Sequence, residues 1–298
     1  MPASERSILL TGDRGLIGRW LRRALVGDGW NVIGFDRRDG LDVTRPESLG
    51  LAAERAAVTI HCAVLPHDSH EDRDAMWRIN AIGTENVLAA AERARHRRVI
   101  AFSSAQVFGI FDGERAPTEF PIGDDAPRLA ARPYGSSKVA AEDACETFTE
   151  RSGIPSLCLR PVHVWVPGQA ADTYRRWRRE PSREFEPHWN FGGWVDVRDV
   201  VSAVRLALSS DFVGHERALL SAADAAATRP TLEMTSRFFP SVPWAAERQF
   251  GGEDRSSLFD CSVAKGLLGW GPRHTWAASS LETALDRVAR RLRQPFPP

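Results

Sequence analysis

Little in this chain points to a special environment. Only four of its 298 residues are cysteine, and Cys62, Cys145, Cys158 and Cys261 are widely scattered without a Cys-x-x-Cys spacing. That excludes a disulfide framework and a paired-cysteine redox or metal motif, and reduced buried thiols in the cytosol are expected. Net charge is also missing: 39 Lys and Arg balance 39 Asp and Glu. No electrostatic pull toward nucleic acid or an acidic membrane follows. No apolar run approaches spanning length, and the polar residues 1–6 lead straight into an apolar segment with no room for a signal peptide. A cytoplasmic location is therefore expected, with neither nucleic acid nor membrane as a partner. His163, His188 and His274 have no ligand-like spacing, so no metal is expected. Tyrosine is scarce as well, with two residues, Tyr134 and Tyr174.

What is present is an ordered alternation of apolar runs and helical periods. Ile8, Leu9 and Leu10 form a short run without polar alternation, as in a strand buried on both faces of a parallel sheet. Gly12, Gly15 and Gly18 follow at three-residue intervals, and Leu16, Ile17, Trp20, Leu21, Ala24 and Leu25 recur at helical spacing. Asn31 to Phe35 reads as a second strand, closed by Asp36, which lies 18 residues beyond Gly18. A strand, a glycine-rich turn, a helix and a strand ending in an acid together begin a dinucleotide-binding unit. The glycines let backbone approach a pyrophosphate, the helix N-terminus supplies N–H donors, and the acid can bond ribose hydroxyls.

The alternation continues. A short helix over Pro46–Ala57, strands at Val58–Cys62 and Val99–Phe102, a long helix over about 72–95 and a fifth strand at Ser156–Arg160 are expected. A loop from Ile110 to Pro133 precedes a helix opened by Tyr134 and running to about Ser152. Such a pattern predicts an α/β fold of Rossmann type, a doubly wound parallel sheet. Tyr134 and Lys138 are four apart and share one helix face. A lysine ammonium beside a phenol favours the phenolate, which can then exchange a proton with a substrate hydroxyl or carbonyl while a cofactor moves a hydride.

These residues resemble the extended short-chain dehydrogenase/reductase family over nearly the whole chain. Thr11-Gly12-x-x-Gly15-x-x-Gly18 is similar to its cofactor loop and Asp42-Val43 to its adenine-contacting pair. His61-Cys62-Ala63-Val64 resembles its His-x-Ala-Ala strand end, and Asn80 to Thr84 its Asn-x-x-Gly-Thr helix. Ser104-Ala-x-Val-Phe-Gly109 resembles Ser-x-x-Val-Tyr-Gly, with Phe108 in place of the tyrosine. Leu159-Arg160-Pro161, Trp194-Val-Asp-Val-Arg-Asp199 and the stretch Asp260 to Pro272 match later elements, the second being the one that re-enters the main sheet. A one-sided closing helix is expected near Ser279–Leu292.

The resemblance implies a Rossmann core at 1–162, re-entered by about 194–222, and a small C-terminal substrate lobe formed by 163–193 and 223–298. It implies Ser104, Tyr134 and Lys138 as catalytic residues. For the cofactor it implies Gly12, Arg14, Gly15, Leu16, Ile17, Gly18, Asp36, Arg37, Asp42, Val43, Cys62, Ala63, Val64, Asn80 and Ser103, together with Tyr134, Lys138, Pro161 and His163. For the substrate it implies Ser104, Gln106, His163, Trp165 and Trp194. It also implies a two-fold homodimer through the helices around Asn80 and Tyr134, the second offering Val139, Ala140, Ala144 and Phe148.

Departures from the family narrow the reaction. Its dehydratases and decarboxylases carry a carboxylate just after the catalytic serine or threonine, where this chain has Ala105 and Gln106, so elimination and decarboxylation lose their second proton carrier. Its nucleotide-sugar epimerases hold a diphosphate with an asparagine and two arginines, where this chain has His163, Gly192 and Phe250, with Arg248 and Arg255 close to the last. The expected activity is hydride exchange at a secondary alcohol or ketone of a small or sugar-like molecule. A nucleotide-sugar 4-epimerase and a non-catalytic NAD(P)-binding regulator are the alternatives. Asp36 favours NAD, while Arg14, Arg37 and Arg38 keep NADP as the other choice. The stretch from His163 to Trp194 holds Trp165, Trp177, Trp189, Tyr174 and the Arg175–Arg179 cluster. It reads either as an aromatic, guanidinium-bearing substrate wall or as a basic helix docked by its tryptophan.

Overall fold

The structure, a computed structural model, describes residues 5–66, 73–185, 188–245 and 255–277. The expected closing helix at 279–292 lies outside these residues, as do Arg248 and Phe250. Chain order is β1 (Ser7–Thr11), α1 (Leu16–Gly27), β2 (Asn31–Phe35), α2 (Pro46–Ala53), β3 (Val58–His61), α3 (Arg73–Trp77), α4 (Gly83–Arg93) and β4 (Val99–Phe102). It continues with α5 (Pro133–Ser152), β5 (Ser156–Pro161), β6 (His163–Trp165), α6 (Gln169–Arg179), β7 (Trp194–Asp196), α7 (Val197–Ser209), β8 (His215–Leu220), α8 (Thr231–Phe238) and α9 (Ser262–Leu268).

Six strands form one parallel sheet in the order β2-β1-β3-β4-β5-β8. Every residue of β1, β3, β4 and β5 is buried, which is why these strands show no polar alternation in sequence. Side chains still alternate between two cores. Ile8 and Leu10 join Leu21, Leu25 and the α7 valines on one face, while Leu9 joins Phe35, Val43, Leu49 and Val87 on the other. Strand order reverses between β1 and β3, so the crevice at their carboxyl ends is where a doubly wound sheet binds ligands.

Three elements differ from expectation. The second helix stops at Ala53, four residues early, because the chain turns there to enter β3. The long helix at 73–93 is interrupted by a π-helical segment, Arg78–Ile82, that contains Asn80. Trp194–Asp196 does not enter the main sheet. It pairs with β6 in a separate two-stranded ribbon, because β8 occupies the whole edge of β5, from Ser156↔His215 to Pro161↔Leu220. The re-entering strand is β8.

The segment between β4 and α5 is pinned to the C-terminal region rather than loose. Phe120 N–H donates to the Pro243 carbonyl at 2.9 Å and Ile122 N–H to the Leu258 carbonyl at 2.7 Å. Phe111, Phe120, Phe191, Phe239 and Phe259 pack ring to ring beneath it.

Candidate active site

The glycine loop sits at the carboxyl end of β1. Gly12 has φ +68°, and a Cβ there would lie 2.6 Å from the Ala63 nitrogen, so only glycine lets this turn lie against the end of β3. Gly15 is the N-cap of α1, whose first turn has no side-chain cap and no acidic residue. The backbone N–H groups there are left for an anion. Asp36, at the end of β2, accepts from Arg38 N–H at 2.9 Å and from Arg14 N–H at 3.1 Å. It therefore shapes the loop as well as offering its remaining lone pairs. The Arg14 guanidinium pairs with Asp39, and Arg38 Nη1 donates to the Arg14 carbonyl at 2.7 Å. Asp42 caps its own turn through Thr44, and Val43 packs where a side chain at Gly83 would otherwise stand.

Beneath the loop, His61 bridges Thr11 and Thr84, at 2.6 Å and 3.0 Å. Burial, aided by the Lys138 charge, pulls this imidazole down to about 3, so it stays neutral. Burial likewise pushes the Cys62 thiol up, which makes it a packing group and no nucleophile. Asn80 holds Leu65 through both its amide atoms, at 2.8 and 3.1 Å, and donates to Ser137 at 3.0 Å. Ser137 in turn donates to the Tyr134 carbonyl at 2.7 Å. The π-helical segment thus braces the first turn of the helix that bears the tyrosine.

Ser104 follows β4 with extended backbone and caps the tight turn Ala105–Phe108, its hydroxyl accepting from Gln106 N–H at 3.2 Å. Pro133 opens α5 and places half-buried Tyr134 in its first turn. Lys138 lies one turn further, 3% exposed, with Nζ donating to the Phe102 carbonyl at 2.8 Å. Burial draws this amine down to about 8, which leaves it mostly protonated at neutral pH. The three proposed catalytic side chains therefore sit on adjoining segments at the end of β4 and the start of α5.

On the substrate side, Pro161 ends β5 and exposed His163 begins β6, its ring 5.9 Å from that of Trp165. Trp165 is half-buried and leads into a cluster with Trp194, Trp276, Trp177 and Tyr174. Trp194 is fully buried and its indole N–H donates to the Asp224 carbonyl at 3.1 Å. It has no surface to offer a substrate and serves as the floor of the cluster, a correction to the sequence reading. Helix α6 docks by Tyr174 and Trp177, and Arg176, Arg178 and Arg179 lie exposed on its other side.

Two of the apolar side chains expected at a dimer interface turn inward. Phe148 is 1% exposed between α5 and β5, and Val139 packs on the main core. Trp77 and Ile82 are instead the exposed large apolar residues of the α3–α4 region.

Asp13, Glu142 and Asp124 carry no sequence pattern that marks them as part of a site. Asp13, inside the glycine loop, is buried beside Arg22 in space left by Gly34. Arg160, Glu142 and Asp124 form a buried charged cluster. Their sequence signal was only that charged residues stand amid apolar ones.

A parallel sheet with an uncapped glycine-loop helix and a Tyr-x-x-x-Lys pair at one end defines a Rossmann-type enzyme of dinucleotide-dependent redox chemistry. More narrowly, the chain belongs to the NAD dependent epimerase/dehydratase family, whose sequence model matches residues 8–219. It is similar to a UDP-glucose 4-epimerase of Mycolicibacterium smegmatis, 26% identical over 311 aligned positions, with 92% of this chain and 96% of the relative covered. Among solved structures it resembles a short-chain dehydrogenase/reductase superfamily protein of Agrobacterium tumefaciens with bound NAD. The TM-score is 0.72 at 21% identity, with 97% of this chain and 100% of the other covered. It also resembles MoeE5 in complex with UDP-glucuronic acid and NAD, with a TM-score of 0.69 at 24% identity, covering 96% and 99%. At these identities the structural likeness speaks for the fold.

Proposed function

We propose that this enzyme moves a hydride between a nicotinamide dinucleotide and a secondary alcohol or ketone of a small or sugar-like substrate. The observation that carries the reading is the placement of Tyr134 and Lys138 on the first turns of α5 against the Ser104 turn. The bound cofactor would supply the hydride acceptor or donor. Gly12, Gly15 and the free N–H groups of α1 fit its pyrophosphate, and Asp36 and Lys138 fit its two riboses. Tyr134 holds or gives up the substrate proton, Lys138 favours its phenolate, and Ser104 donates to the reacting oxygen. NAD is favoured over NADP, because the Arg14 guanidinium is engaged with Asp39 and Arg38 is engaged with the Arg14 carbonyl.

A nucleotide-sugar 4-epimerase is the second reading, favoured by the near full-length similarity to a UDP-glucose 4-epimerase. Against it stand Gly192 and His163 where family epimerases carry diphosphate-holding groups. Residues 163–193 and 223–298 serve as the substrate lobe in either reading. A homodimer is part of the proposal, with Trp77 and Ile82 as its exposed apolar contacts in place of Phe148.

The test is a panel of secondary alcohols, ketones and free sugars assayed with NAD(H) and NADP(H), beside UDP-glucose and UDP-galactose interconversion. Dehydrogenase or reductase turnover that falls about a hundredfold or more in Tyr134→Phe, with cofactor affinity kept, is the expected result. Interconversion of the two UDP-sugars without net change in cofactor selects the second reading. Tyr134→Phe with wild-type turnover overturns both.

A further inference from the structure

Arg160 is 1% exposed, yet every arm of its guanidinium is used. Nε and Nη2 each donate to the Glu142 carboxylate at 2.8 Å. Nη1 donates to the Asp124 carbonyl at 2.7 Å and to its carboxylate at 3.1 Å. The guanidinium carbon lies 5.3 Å from the centroid of the Phe108 ring. Asp124 accepts with its second carboxylate oxygen from Leu219 N–H at 2.9 Å.

These partners come from the segments that carry the acid/base pair and the serine turn. Glu142 lies on α5, one turn beyond Lys138 and two beyond Tyr134. Phe108 closes the turn that Ser104 caps. Asp124 belongs to the stretch that leads directly into Tyr134, and Leu219 ties that stretch to β8. Arg160 itself precedes Pro161 and the substrate-side His163. Around Glu142, Arg128 and Arg217 stand at 3.4 Å, and they also pair with Asp143 and Glu146.

Stability alone is a poor account of such a cluster. Burying an arginine and two carboxylates is costly, and apolar residues of the same volume often do as well. What apolar packing cannot supply is direction. A planar fork with fixed N–H vectors sets the angle and distance of each carboxylate it holds.

We propose that Arg160 is a positioning residue that locks α5, the Ser104 turn and the approach to Tyr134 in one arrangement, so that the Lys138 ammonium faces the Tyr134 phenol. The proposal rests on the assignment of Tyr134 and Lys138 as the acid/base pair. Glu142 is suited to the task in charge as well. Burial works to raise its carboxyl, but the hydrogen bonds and charge of Arg160, with Ser103 and the Arg217 charge, outweigh this and hold it below the usual range.

Tyrosinate absorbance reads the arrangement without any substrate, because the chain has two tyrosines and Tyr174→Phe leaves Tyr134 alone. In full-length Tyr174→Phe protein saturated with NAD, Tyr134 should ionise well below the value of about 10 of a free phenol. Arg160→Lys in that background keeps the charge and loses the fork. It should raise the Tyr134 midpoint by about one pH unit or more, with NAD affinity and near-ultraviolet circular dichroism retained. If Arg160→Lys does not fold, Asp124→Asn is the deciding variant, with a smaller shift in the same direction. An unmoved midpoint in the deciding variant overturns the positioning role and leaves the acid/base assignment standing. A midpoint near 10 before any change at Arg160 overturns the assignment itself, and the positioning role with it.

Discussion

Gly135 lies so close to Gln106 that a Cβ on it would stand 2.7 Å from the Gln106 carbonyl oxygen and 2.6 Å from the Ala130 Cβ. Through this contact the helix that carries Tyr134 and Lys138 meets the turn that carries Ser104. Ser104 stands 30 residues before Tyr134, so its spacing from the Tyr134–Lys138 pair depends on how closely these two backbones approach.

Gly135→Ala should therefore reduce activity even though alanine is the better helix former by about 1 kcal/mol. Overpacking of about 1–3 kcal/mol opposes that gain and pushes the start of α5 away from the serine turn. The expected outcome is a drop of about tenfold or more in kcat with cofactor affinity nearly kept, since the glycine loop is untouched. Steady-state kinetics on the best substrate of the panel checks it, and unchanged kcat would show that the contact has slack.

Much of this arrangement can be read from sequence, for identifiable reasons. Strands β1, β3, β4 and β5 stand out because burial on both faces leaves them mostly apolar, and the glycine spacing and the Tyr134–Lys138 pair are local patterns. The ribbon of β6 and β7 is not legible, because a three-residue strand carries no period. The Arg160 cluster is not legible either. Its members lie 18 and 36 residues apart, and charged side chains read as surface until the fold encloses them. Trp194 departs from expectation for a related reason. Sequence marks it as aromatic and close to the substrate lobe, but cannot say that Trp165, Asp224 and Ala222 enclose it.

Cofactor preference should turn on Asp36. Its carboxylate organises two backbone N–H groups, Arg14 and Arg38, and keeps lone pairs for ribose hydroxyls. Asp36→Ala removes those acceptors and the charge that repels a 2′-phosphate. A lost charge-assisted bond of about 1.5–3 kcal/mol corresponds to roughly tenfold to a hundredfold weaker NAD binding, with NADP gaining relative to it. Tryptophan-fluorescence titration with both dinucleotides checks the order. Wild-type protein that already binds NADP tenfold better than NAD would transfer the decision to Arg14 and Arg37.

Acid should destabilise the fold below about pH 6, and buried histidines set the sign. Burial lowers His61 from 6.5 to about 3 and, with the Arg217 charge, His215 from 6.5 to about 4. Below pH 6.5 the unfolded chain protonates both while the folded chain keeps both neutral, so stability is lost as pH falls. Asp124 works the other way: burial raises it from 3.8 to about 6, and the folded state holds its proton where the unfolded state does not. Burial lowers His96 in the same sense and raises Asp224 in the opposite one, and three histidines against two carboxyls leave a net uptake of protons on unfolding, so stability falls with pH between pH 6 and 4.5. Urea unfolding at several pH values in this window measures the slope directly. His215→Gln removes one of the three histidine contributions and should make the slope shallower there, with His61 and His96 remaining. Stability that stays flat in the unmodified chain across this window would mean that His61 or His215 is protonated in the folded state.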